Sequence, residues 1–155
     1  EIPAGIHDGQ RIRLRGRGHA GAQGGVPGDA YVEVHVARDP RFERDGDDIL
    51  SAVDLTIVQA ARGTTLTIPT LEGETELELG PGTQPGEVRV LRGRGMPSLE
   101  RGRRGDHRVL VNVAVPRRLT DEQRELLERF EELSGEDTYR DDDEGFFQKL
   151  RNAIR

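Results

Sequence analysis

The chain has 155 residues, enough for one large domain or two small ones, and is 33% hydrophobic, 34% charged and only 4% aromatic. It contains no cysteine, which excludes disulfides and thiolate metal sites, and no run of about eighteen apolar residues that would span a membrane. The net charge of −6 argues against a purely electrostatic nucleic-acid binder.

Twenty glycines and eight prolines predict many turns, and a core built without aromatics must rest on Val, Ile and Leu. In chain order, the first predicted strand is 10–14. It runs into the turn Arg15-Gly16-Arg17-Gly18, and Gly28-Asp29 then introduces a strand over 30–36. Val32, Val34 and Val36 alternate there, as on a strand with one buried face. Phe42 is a lone aromatic beside Glu43-Arg44-Asp45, and Gly46 marks a tight turn. Strands are expected over 49–57, 64–68 and 75–79, with one helical turn at 58–62 stopped by Gly63 and a tight turn at Gly73. A strand over 87–91, a second Arg-Gly-Arg-Gly turn, Gly105-Asp106 and an alternating strand over 107–115 follow.

Helical signals come last. Thr120 is a good N-cap with Gln123 three residues on, and Leu126, Leu127, Phe130 and Leu133 make an apolar stripe that ends at Gly135. Residues 136–144 form an acidic linker. Phe146, Phe147, Leu150 and Ile154 then lie on a short amphipathic segment, too short to be stable without a partner surface.

The chain repeats itself at an offset of 77 residues, which places Leu79-Gly80-Pro81-Gly82 under Ile2-Pro3-Ala4-Gly5. At the same offset Gly9 meets Gly86, 14–18 meet 91–95, Gly28-Asp29 meet Gly105-Asp106, and Val32, Val34 and Val36 meet Val109, Val111 and Val113. One gapless offset that matches so many turn and strand positions means two copies of one unit. The first copy is expected to be truncated, because the chain opens at Glu1-Ile2-Pro3, without a Met, where the second copy is already well advanced.

The chemistry-bearing motifs are weak. Gly16–Gly21 matches a dinucleotide fingerprint, but glycines and a proline follow where a helix should open. His7, His19, His35 and His107 show no ligand spacing, and His35 and His107 are expected on the outer face of their strands. The Arg-Gly turns lack the aromatics of a nucleic-acid platform. Phe42 is open to two readings, a core plug between the copies or one wall of an apolar peptide groove.

Several motifs resemble DnaJ-type co-chaperones. Residues 2–12, Ile-Pro-Ala-Gly-Ile-His-Asp-Gly-Gln-Arg-Ile, resemble the segment that closes their first C-terminal domain, and residues 42–50 resemble the junction into the second. Residues 69–73, 81–86, 92–97 and Gly105-Asp106 follow in the family's order, so the resemblance covers the chain to Arg118. No His-Pro-Asp tripeptide and no Cys-X-X-Cys pair occurs, so neither a J-domain nor a zinc module lies in this sequence. In the zinc-bearing subfamily that module precedes the Ile-Pro-Ala-Gly segment, which leaves zinc open for a longer parent upstream of Glu1.

The resemblance implies a mostly β fold of tandem sandwich-like C-terminal domains, the first truncated, followed by short helices. The expected divisions are 1–40, 41–118, a helix over 119–134, a linker over 135–144 and a tail helix over 145–155. It implies a non-enzymatic, cytoplasmic homodimer that holds unfolded polypeptide clients for a DnaK-type ATPase, without cofactor, nucleic acid or membrane. Client-binding candidates are Ile12, Leu14, Phe42, Val88 and Val90, and dimerisation candidates are Leu126, Phe130, Phe146, Phe147, Leu150 and Ile154. The rival classes are an architectural dimerisation module and a nucleic-acid-binding β domain.

Overall fold

The computed structural model describes residues 1–20, 25–99 and 102–139. The chain divides into two compact units, Glu1–Val115 and Pro116–Arg155. The first is almost entirely β.

Strands β1 (Arg11–Leu14) and β2 (Ala30–Glu33) pair antiparallel, with Ile12 opposite Val32. A four-stranded sheet follows, built from β3 (Glu43–Asp45), β4 (Asp48–Thr56), β7 (Val88–Leu91) and β8 (His107–Ala114). Its order is β3-β4-β8-β7, with β4 and β8 parallel and the other neighbours antiparallel. Between β4 and β7 the chain forms helix α1 (Ile57–Arg62) and the hairpin β5 (Thr64–Thr70) with β6 (Gly73–Leu79).

Period-two alternation explains the core. Leu55, Val109 and Val111 from the four-stranded sheet meet Ile68, Leu77 and Leu79 from the hairpin, and Ala60 of α1 joins them. Burying one face of each sheet against the other gives a sandwich-like second copy.

The repeat is real at the level of hydrogen bonds. The Gly9 amide donates to the Val34 carbonyl as Gly86 does to Val111, both at 2.8 Å. Gly18 donates to Gly28 at 2.7 Å as Gly95 does to Gly105 at 2.8 Å. The Arg-Gly-Arg-Gly turns are alike. The Asp29 carboxylate accepts from the Gly16 amide and the Asp106 carboxylate from the Gly93 amide, each at 2.8 Å. Both turn glycines are left-handed, with φ of 67° and 68°, a conformation that costs a side chain about 1 kcal/mol. The Gly-Asp pair is therefore the cap of the Arg-Gly turn.

Four expectations need adjustment. The strand expected over 30–36 ends at Glu33, although the Val34–Gln10 bond at 2.9 Å carries the pairing one step further. Strand β3 is an additional element, three charged residues that carry no alternation. Helix α1 begins at Ile57, where Thr56 and Gln59 form a reciprocal capping box. His107 is not on an outer face but fully buried, at 0% exposure. The physical reason is parity, because His107 shares the inner face with Val109 and Val111.

His107 Nε2 and Ser51 Oγ share a hydrogen bond at 2.7 Å, and Phe42 meets the ring edge-on at a centroid distance of 5.6 Å. Burial pushes the imidazole pKa down. In the unfolded chain the ring takes a proton near its ordinary pKa of about 6.5, while the folded chain resists it. Stability should thus be intact above that pH and decline as pH falls below it, by at most about 1.4 kcal/mol per pH unit. Urea midpoints at pH 7.5, 6.5 and 5.5 for the wild type and His107→Gln check this, the difference between the two isolating His107. Parallel pH profiles would show that His107 is protonated as readily folded as unfolded.

In the second unit, α2 (Asp121–Leu133) is capped as expected, the Gln123 amide donating to Thr120 Oγ1 at 3.2 Å and the Thr120 amide to Gln123 Oε1 at 3.0 Å. It ends at Ser134, and a 3-10 turn covers Glu136–Thr138 at the start of the expected linker.

Candidate functional site

The five client-binding candidates occupy three places. Ile12 and Leu14 lie on one face of β1, across from Val32 and Ala30. At the 77-residue offset they match Arg89 and Leu91, which lie on the inner side of β7 with Val109. The first copy therefore presents here the face that the second copy turns to its core, and Leu14 and Val32 remain 41% and 43% exposed.

Val88 and Val90 lie on the opposite, outer face. They match Arg11 and Arg13 of the first copy, not Ile12 and Leu14. In register, Val88 stands beside Leu110, and Ala52 of β4 stands on the far side of Leu110. Val88, Val90 and Leu110 are 50%, 49% and 46% exposed. Because β7 is an edge strand, its outer amides and carbonyls are not used by the sheet. Exposed valines beside an open strand edge are what an extended apolar peptide can use, through main-chain pairing and shallow side-chain pockets.

Phe42 belongs to neither face. Asp39-Pro40-Arg41-Phe42 is a turn closed by the Phe42 amide to the Asp39 carbonyl at 3.2 Å. The Arg41 guanidinium, donating to Asp39 Oδ2 at 2.7 Å, and the Arg41 amide, donating to Oδ1 at 2.9 Å, draw the Asp39 carboxyl pKa down to about 2. The turn delivers the half-buried Phe42 ring onto buried His107, with Arg41 stacked over it at 5.2 Å. This geometry fits the core plug better than the groove wall. Sequence reasoning missed Leu110, although its alternation with Val109 and Val111 was there to find it.

Three arginines in or beside the turns have protein partners. Arg94 and Arg104 both donate to Glu72 at the tip of the β5–β6 hairpin, at 2.8 and 2.7 Å, and Arg13 donates to Asp29 at 2.6 Å. Residues 15–20 continue from β1 as turns and coil rather than a helix, and Gly21 of the dinucleotide pattern lies outside the described residues. Among the described residues no three His, Asp or Glu side chains are grouped to hold a metal, and no helix is long and apolar enough to cross a membrane.

Of the dimerisation candidates, Leu126 and Phe130 lie on α2 and are 66% and 52% exposed, with Leu127 and Leu133 extending the stripe. No α2 side chain is buried. Phe146, Phe147, Leu150 and Ile154 lie outside the described residues.

Comparison with known proteins accords with this architecture. Residues 1–116 match the family model of the DnaJ C terminal domain, and residues 122–155 match that of the chaperone protein DnaJ C-terminal region. Proteins named chaperone protein DnaJ are similar throughout. The one from Ruminiclostridium cellulolyticum is 44% identical over 155 residues, all of this chain and 41% of its own. The one from Haloarcula marismortui is 48% identical over 154 residues, 99% of this chain and 40% of its own, and one from Streptococcus pyogenes is 44% identical over a similar span. The chain thus spans about two fifths of the length of these relatives. With its repeat, its Gly-Asp-capped turns and its full-length similarity all in agreement, the chain belongs to the DnaJ C-terminal domain family.

Proposed function

We propose that this chain holds extended apolar segments of non-native polypeptides and hands them to a DnaK-type ATPase, acting in the cytoplasm as part of a homodimer. The observation that carries the reading is the outer face of the second copy, where Val88, Val90 and Leu110 stand half-exposed beside an open strand edge. Burying a valine contributes about 1.5–3 kcal/mol at most, so a site of this size binds weakly and tolerates many sequences. That suits clients that must be released. The chemistry is capture rather than bond-making, and it needs neither metal nor nucleotide in these residues. The face of half-buried Ile12 with exposed Leu14 and Val32 supplies a second candidate surface on the first copy.

Fluorescence anisotropy of a labelled extended apolar peptide tests the reading. Val88→Glu with Val90→Glu is expected to weaken binding at least tenfold, about 1.4 kcal/mol, with little change in melting temperature because both side chains are exposed. Should Ile12→Glu with Leu14→Glu abolish binding instead, the client surface belongs to the first copy. Indifference to both pairs would favour a purely architectural dimerisation module.

A further inference from the structure

Arg44 and Gly5 both cross the seam between the two copies. A cavity of about 410 Å³, lined by His7, Gln10, Gly46, Asp47 and Ser98 among others, opens between them. Beside it the Arg44 guanidinium of β3 reaches into the first copy. Its Nη1 donates to the Ile6 carbonyl at 2.7 Å and its Nη2 to the Gly5 carbonyl at 2.6 Å, while Nε is tied to the Gly46 carbonyl at 2.8 Å. The Nη2 also lies 3.2 Å from Nε2 of His7. Gly5, whose carbonyl Arg44 holds, also meets the second copy directly. It has φ of 90°, and a Cβ added there would collide with the Pro97 carbonyl of the second copy.

We propose that Arg44 is a positioning residue that sets the orientation of the two repeated copies, and with it the spacing between their exposed apolar faces. A planar fork tied down at Nε can address two successive carbonyls in only one attitude, which a lysine's single ammonium cannot reproduce. The residue needs no contact with a client. Its significance for client holding rests on the proposed function, but its effect on orientation does not.

Because the sequence has no cysteine, Tyr31→Cys on β2 and Glu76→Cys on β6, both exposed, give two unique spin-label sites on the two copies. Pulsed electron–electron resonance on the chain is expected to show one narrow distance distribution. Arg44→Gln should broaden it at least twofold, and Arg44→Lys by an intermediate amount. Amide exchange of β4 and β8 should stay protected, which separates lost orientation from lost folding. Gly5→Ala, which sets a Cβ against the Pro97 carbonyl and displaces the carbonyl that Arg44 holds, should broaden the distribution as well. A distribution that stays narrow in Arg44→Gln with its core protected overturns the proposal. If Arg44→Gln loses core protection, Arg44→Lys and Gly5→Ala decide, and narrow distributions in both would equally overturn it. Peptide affinity, measured separately, bears only on the client reading.

Discussion

Phe42→Ala is expected to lower the stability of the second copy by about 2–3 kcal/mol, below the 3–5 kcal/mol of a fully buried phenylalanine because the ring is half-buried. The loss has named sources. The edge-on contact with His107 disappears, as does the Arg41 stack over the ring face. His107 also loses part of the cover that keeps it at 0% exposure. Urea denaturation followed by far-ultraviolet circular dichroism measures the stability, and peptide anisotropy below the transition measures binding. The expected pair of results is a lowered midpoint and an unchanged affinity in the folded fraction. A variant as stable as wild type that no longer binds peptide would make Phe42 a wall of the client groove after all.

Much of this fold was legible because its signals are local. The alternating valines of β8 and the Thr120–Gln123 cap each lie within a few residues and follow from backbone geometry, and the repeat is read by aligning such short motifs at one offset. The illegible parts depend on distant partners. Strand β3 is Glu-Arg-Asp, three charged residues that become a strand only because β4 pairs with them, opposing Arg44 to Ile49. The parallel pairing of β4 with β8 joins residues more than fifty positions apart, with Ile49 against His107, and no local pattern announces it. Its consequence is the buried histidine, which the parity of Val109 and Val111 already implied.

The candidate site was legible as residue types but not as one surface. Alternation correctly paired Val88 with Val90 and Ile12 with Leu14. At the 77-residue offset the two pairs do not correspond but differ by one residue, and in a strand one residue exchanges the faces. The offset of 77 assigns Arg11 and Arg13 to the outer face of the first copy, where they pair with Glu33 and Asp29. The two copies thus kept one backbone and diverged in what their outer faces carry, charge on one and apolar side chains on the other.

Self-association should depend on α2. Leu126→Glu with Phe130→Glu is expected to weaken the dimer at least a hundredfold, enough to leave monomer at micromolar concentration. A thirteen-residue helix with no buried side chain is marginal by itself, yet it carries Leu126, Leu127, Phe130 and Leu133 on one stripe and charged residues elsewhere. Each large side chain covered by a partner contributes about 1.5–3 kcal/mol, so removing two from each subunit outweighs the roughly 2.7 kcal/mol that a hundredfold represents. Two glutamates also place like charges against each other across a two-fold interface. Both positions are exposed, so the helix itself should persist in circular dichroism. Light scattering over a concentration series reads the mass, alongside a truncation after Glu144 that removes Phe146, Phe147, Leu150 and Ile154. If α2 is the contact, the double glutamate gives monomer and the truncation leaves the dimer. If the truncation alone gives monomer, the tail is the contact and the α2 stripe has another use. A wild-type chain that is monomeric across the series would remove dimerisation from this part of the protein altogether.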